Sequence, residues 1–160
     1  MLSKETLLKT FEEMGLAVEQ DGDDFVHSTE GNFAPLLQTV VTIDEDGAGA
    51  TLLTALPDAV PEEKWGVVCE LLNLVHGQSL WNVRFHLDES GRVFSVGKHL
   101  LWSKPFNAVQ FGDIFFSHLV TTARLFPCLV SLVETEETAE QAFERFFSGE
   151  GAKGTPSELQ

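Results

Sequence analysis

The hydrophobic period of the chain changes once, sharply, between Pro61 and Trp102, and that change limits the folds available to it. From Trp65 onward Val68, Leu72 and Val75 recur at helical spacing, with Cys69 and Leu71 widening the stripe. Pro61 suits a first helical turn, Glu62 and Glu63 place negative charge at the positive end of the helix dipole, and Gly77 can close the C-terminus. From Leu80 the period becomes two. Trp81, Val83, Phe85 and Leu87 alternate with Asn82, Arg84, His86 and Asp88, which predicts a half-buried strand with Phe85 facing a core. Asp88 to Gly91 supplies a tight turn, and Arg92 to Val96 begins a return strand. A helix followed by a β-hairpin excludes both an all-helical bundle and an all-β sandwich.

The remainder follows the same logic. Ser3 can cap a helix ending at Met14 and Gly15, with Leu7, Leu8, Phe11 and Met14 on its apolar face. Leu16 to Gln20 and Asp24 to Ser28 flank Asp21-Gly22 as a hairpin, and Glu30 to Pro35 reads as a loop. Leu37 to Asp44 and Ala50 to Leu56 predict two further strands. The first is apolar on both faces, the pattern of a strand covered on both sides. Phe106 to Phe126 returns to helical spacing through Phe111, Ile114, Phe115, His118, Leu119, Thr122 and Leu125, and Pro127 should end that helix. Residues 128–133 form an apolar connection with no assigned state, and Thr135 is placed to cap a last helix containing Phe143 and Phe146. The order is α, hairpin, hairpin, α, hairpin, α, α. This is an α+β domain, an antiparallel β-sheet flanked by helices, spanning 1–147, followed by a polar, flexible tail over 148–160.

Composition narrows the function classes. The chain carries 25 acidic against 10 basic residues, a formal charge of −15, which repels phosphates and argues against nucleic-acid binding. No apolar run of about 18 residues predicts a membrane span, and Met1 to Glu5 does not resemble a signal peptide. Cys69 and Cys128 both sit in apolar surroundings and are expected to be buried free thiols, so a cytoplasmic location is expected. None of the common phosphate, nucleophile or zinc motifs occurs, and the five histidines lack ligand spacing. No catalytic residue, cofactor or metal is therefore expected. His118 reads as a hydrogen-bonded core histidine, His86 as solvent-facing and His99 as the end of a hairpin. Trp102, Phe111 and Phe115 are the expected partner contacts, aromatic side chains being suited to protein interfaces. The competing reading is a small-ligand or enzymatic domain with a pocket near Arg84, His86 and His99.

Short stretches also resemble the YbjN family: Pro61-Glu62-Glu63, Leu71-Leu72-Asn73, Phe85-His86-Leu87-Asp88 with Gly91, the pair Phe126-Pro127, and Glu140-Gln141-Ala142. The resemblance implies a type III secretion chaperone-like fold, a homodimer, and a chaperone or regulatory role exerted through protein–protein contacts. It carries no catalytic residues.

Overall fold

The computed structural model describes residues 1–30, 35–78, 83–100 and 105–148. Its elements are α1 (Lys4–Glu13), β1 (Glu19–Asp21), β2 (Asp24–Ser28), β3 (Gln38–Ile43), β4 (Gly49–Ala59), α2 (Trp65–His76), β5 (Val83–Leu87), β6 (Arg92–Leu100), α3 (Ala108–Glu134) and α4 (Ala139–Ser148). The strands form one antiparallel sheet in the order β1-β2-β3-β4-β6-β5. The expected order of helices and hairpins is present.

Local chemistry explains most boundaries. Ser3 Oγ accepts the Thr6 N–H at 3.2 Å and starts α1. At its far end Gly15 takes φ 71°, so the Gly15 and Leu16 N–H groups can reach back to the carbonyls of Glu12 and Phe11. That double closure satisfies two carbonyls that helix geometry leaves bare. In β4, Pro57 cannot donate to a ladder, and the register against β6 shifts between Ala55 and Ala59. A single 3-10 turn, Glu62–Lys64, precedes α2. α4 begins with reciprocal bonds between Thr138 and Gln141, at 3.0 and 3.3 Å. Thr138, not Thr135, is thus its cap; Thr135 closes α3 instead, donating its N–H to Ser131.

Pro127 does not end α3. The helix continues for 27 residues through it and buries Cys128, Leu129 and Leu132 beyond it. Proline forfeits one backbone bond and crowds the turn before it, but here the apolar packing of the last two turns against α2 and α4 outweighs that cost. α3 is also long and apolar enough to cross a membrane by length and hydropathy. One face of it nevertheless lies in the core, with Phe111, Phe115 and Leu125 fully buried.

Among the described residues, the helices cover one face of the sheet. Along β4 the residues Ala50, Leu52, Thr54 and Leu56 are buried while Leu53, Ala55, Pro57 and Asp58 are exposed. β3 follows suit, with Thr39 and Val41 inside and Gln38 and Thr42 outside. The expectation of a strand covered on both sides is therefore corrected: its apolar outer residues face an open surface. Phe85 points inward as expected, and Cys128 is buried, whereas Cys69 is an exposed thiol on α2. The predicted positions Leu80 to Asn82, most of the Glu30 to Pro35 loop and the tail beyond Ser148 lie outside the described residues.

Candidate binding surfaces

The middle of the sheet inverts the usual arrangement of polar and apolar residues. Facing the helices are Thr39, Thr54 and Ser95, laterally paired on β3, β4 and β6 and fully buried. They meet His118 and Thr122 of α3 in a hydroxyl–imidazole network. Thr39 and Thr54 hydroxyls lie 2.6 Å apart, Thr54 Oγ1 is 2.8 Å from His118 Nε2, and Ser95 Oγ is 3.2 Å from the same nitrogen. Thr122 Oγ1 donates to the His118 carbonyl at 2.8 Å, so it must accept from Ser95 Oγ at 2.7 Å. Ser95 is then left to accept from Nε2, which assigns the proton of the neutral ring to Nε2. His118 Nδ1 has no partner. Protonating it would bury a charged donor with nothing to receive it, and burial accordingly holds the His118 pKa down at about 4. Ser95 and His118 are both fully buried, so this serine–histidine contact is a core feature sealed from substrate.

The outer face of the same strands carries an apolar row, with Asp24, Thr42, Thr51 and Lys98 forming a polar row beside it. Val26, Val40, Leu53 and Val96 stand side by side across β2, β3, β4 and β6, and the row ends at Arg84 on β5. A second row runs through Gln38, Ala55, Phe94 and His86. Leu53 is 42% exposed at the centre of this surface. His86 stacks on Phe94 with ring centroids 5.3 Å apart. Behind β5, the Phe85 N–H donates to His76 Nε2 at 2.9 Å. That bond needs a bare nitrogen, and burial, with Arg84 and His86 nearby, lowers the His76 pKa accordingly.

At the β5 end of the sheet lies a cavity of about 820 Å³. β5 pairs with β6 from Val83 opposite Gly97, and β6 continues to Leu100. Arg84 and His86 of β5, Lys98 and His99 of β6, and Gln110, Asp113 and Ser117 of α3 line the space. Arg84, His86 and His99, three positions singled out in the sequence, are thus brought together. His99 differs from expectation in being buried, between the edges of Phe106 and Phe111 at 5.8 Å each. It pairs across the sheet with Ala50, so the sheet interior and not the hairpin end receives it. Among the described residues no cluster of three or more histidine, cysteine or carboxylate side chains could hold a metal.

The expected partner contacts divide differently. Trp102 lies outside the described residues. Phe111 and Phe115 have no exposed surface; they pack on Phe11 at 5.6 and 5.7 Å, and both are core residues. The stripe was read correctly as helical, but its buried side is the one occupied by the chain's own core. The apolar residues α3 presents outward are Val109, Phe116 and Val120. Phe116 and Val120 border a groove of about 220 Å³ with Leu16, Ala17 and Leu119. Period alone locates a stripe, whereas only the sheet beneath shows which edge of it is left over.

No protein-family profile matches the chain, and no curated protein matches it. Solved structures do. YbjN from E. coli, a candidate transcription regulator, superposes with a TM-score of 0.55 at 12% identity, covering 91% of this chain and 93% of its own. The ExsC–ExsE complex gives 0.55 at 16% identity, over 80% of this chain and 98% of that one. The fold is type III secretion chaperone-like. The HopA1–SchA chaperone–effector complex agrees, with a TM-score of 0.53 at 13% identity, over 76% and 91% of the two chains. The likeness to YbjN and the chaperones is one of fold, since identities this low leave side-chain roles to be argued from this chain's own residues.

Proposed function

We propose that the chain is a non-enzymatic protein-binding module, a homodimer in the cytoplasm, that holds an extended apolar segment of a partner on the open face of its sheet. The carrying observation is the row Val26, Val40, Leu53 and Val96, apolar side chains on the face that no described helix covers. A contiguous apolar surface of this kind marks an interaction site more often than a solvated face. The fold neighbours include a chaperone bound to an effector, which supports a protein partner and says nothing of its identity. The charge of −15 favours a partner with basic or amphipathic segments and a rate of association that falls as salt rises. Trp102, two positions beyond Leu100 in the chain, stays a proposed contact. The non-enzymatic reading is supported by the sealing of the serine–histidine contact in the core.

The homodimer reading draws on the other surplus apolar surface, Val109, Phe116 and Val120 of α3. A two-fold contact there would cover both copies at once and leave the sheet free.

The test is capture from the native cell, read by mass spectrometry, with wild type beside Leu53→Glu. The variant should fold normally and lose the proteins that wild type retains. An unchanged set of captured proteins would refute the open face as the binding surface.

A further inference from the structure

We propose that the cavity at the β5 end of the sheet binds a small organic molecule carrying an oxyanion, gripped by Arg84 and Lys98 and met by the His99 imidazole. The cavity adjoins the proposed segment-binding face, sharing Val96 and Arg84 with its row, and is argued from its own lining. Its volume of about 820 Å³ lies within the range typical of small-ligand sites, and two other cavities on the molecule measure about 220 Å³ each.

Its lining runs against the composition of the chain. Only 10 of 160 residues are Lys or Arg, yet Arg84 and Lys98 both face this space, with His86 beside them and Asp113 as the carboxylate in the lining. Each cation has a neighbour that orients it. Arg84 NH1 donates to the Val83 carbonyl at 3.3 Å, and Lys98 Nζ sits 3.2 Å from Asp44. Holding the two head groups in advance lowers the entropy lost when an anion arrives. A guanidinium fork matches the two oxygens of a carboxylate or phosphate.

His99 is the second, independent sign. It is 1% exposed and lines the cavity, and neither ring nitrogen has a partner. Phe106 and Phe111 close its flanks and offer it nothing. A buried polar group left unmatched is costly, and a ligand oxygen entering between the sheet and α3 would match it. Gln110, Asp113 and Ser117 lie on one side of α3 at spacings of three and four, so they reach the ligand together. Val96, Leu100 and Ile114 supply an apolar wall, which is why an organic body is specified beside the anionic group.

The test is an NMR titration of the full chain with three probes of one shape: benzoate, phenyl phosphate and benzylamine. Benzoate or phenyl phosphate should shift the His99 and Ser117 signals saturably, and benzylamine should not. The tighter of the two anions identifies carboxylate or phosphate as the natural group. Arg84→Gln should weaken the anion about tenfold or more, the loss expected for a charge-assisted bond, and Lys98→Gln should weaken it in the same direction. Lys9→Gln, at an exposed position of α1, should leave it unchanged. Absence of saturable shifts with both anions, equal binding of benzylamine, or wild-type affinity in Arg84→Gln and Lys98→Gln would overturn the proposal.

Discussion

Acid should unfold this protein through His118 before most carboxylates titrate. The ring is fully buried, shares its Nε2–H between Thr54 and Ser95, and has no acceptor at Nδ1. Its pKa falls from 6.5 in the open chain to about 4 in the fold, with burial the cause. The unfolded chain therefore binds one more proton between those values, and stability falls as pH drops across that window. At about 1.4 kcal/mol per pH unit, the full displacement is worth about 3 kcal/mol, present above pH 6.5 and gone near pH 4. That is a large share of the roughly 5–15 kcal/mol that holds a domain together. His76 and His99 are lowered in the same direction, so wild type alone would not isolate the effect. His118→Gln does, because its amide can still donate to Ser95 and Thr54 but does not titrate. Urea unfolding of both proteins between pH 7 and pH 4 gives the comparison. The wild-type curve should fall more steeply, by about 3 kcal/mol over the window. Parallel curves would refute the assignment of a neutral, proton-excluding ring.

Other outcomes follow from burial and pairing. Phe85→Ala should cost about 3–5 kcal/mol in urea midpoint terms, since Phe85 is 2% exposed and stacks on His76. Pro127→Ala should raise the melting temperature by restoring a donor inside α3, worth about 1 kcal/mol or more; a lower one would mean that the proline's rigidity matters more than the lost bond. Sedimentation equilibrium at micromolar concentration should show twice the 17.7 kDa chain mass, and Phe116→Glu should return the monomer.

The element order was legible because each segment announces its own period and its own punctuation, Ser3 and Gly15 for α1 or Gly22 and Gly91 for the hairpins. What was illegible depended on contacts distant in sequence. Pro127 is a helix breaker locally and a helix residue here because Leu129 and Leu132 are needed in the core. His99 looked like a hairpin terminus because nothing near it in sequence shows that β4 runs alongside and that Phe111 arrives from α3. The cavity was visible only as three residues, Arg84, His86 and His99; its opposite wall, Gln110, Asp113 and Ser117, sits on a helix whose apolar stripe drew attention instead.

The hardest feature to read was the inverted centre of the sheet, and it makes a last prediction. A one-residue slip of β4 against its neighbours would bury Leu53 and expose Thr54, but it would also turn Ala50, Leu52 and Leu56 out to solvent, so the apolar pattern of the whole strand opposes it. The native register keeps Leu53 outside because Leu52 and Leu56 take the core side, and Thr54 between them finds partners there, Thr39 at 2.6 Å and His118 at 2.8 Å. The hydroxyl network therefore reinforces a register that the packing of Leu52 and Leu56 already sets, and it makes a polar residue tolerable at the centre of the buried face. Thr54→Val preserves shape, removes the hydroxyl and leaves His118 bonded to Ser95 alone. It should cost about 1–3 kcal/mol through the orphaned groups. It should also speed amide hydrogen exchange along β3 and β4, because the loss of stability lowers the free energy of opening. If Thr54→Val is as stable as wild type and exchanges as slowly, the hydroxyl network contributes nothing to holding the sheet together.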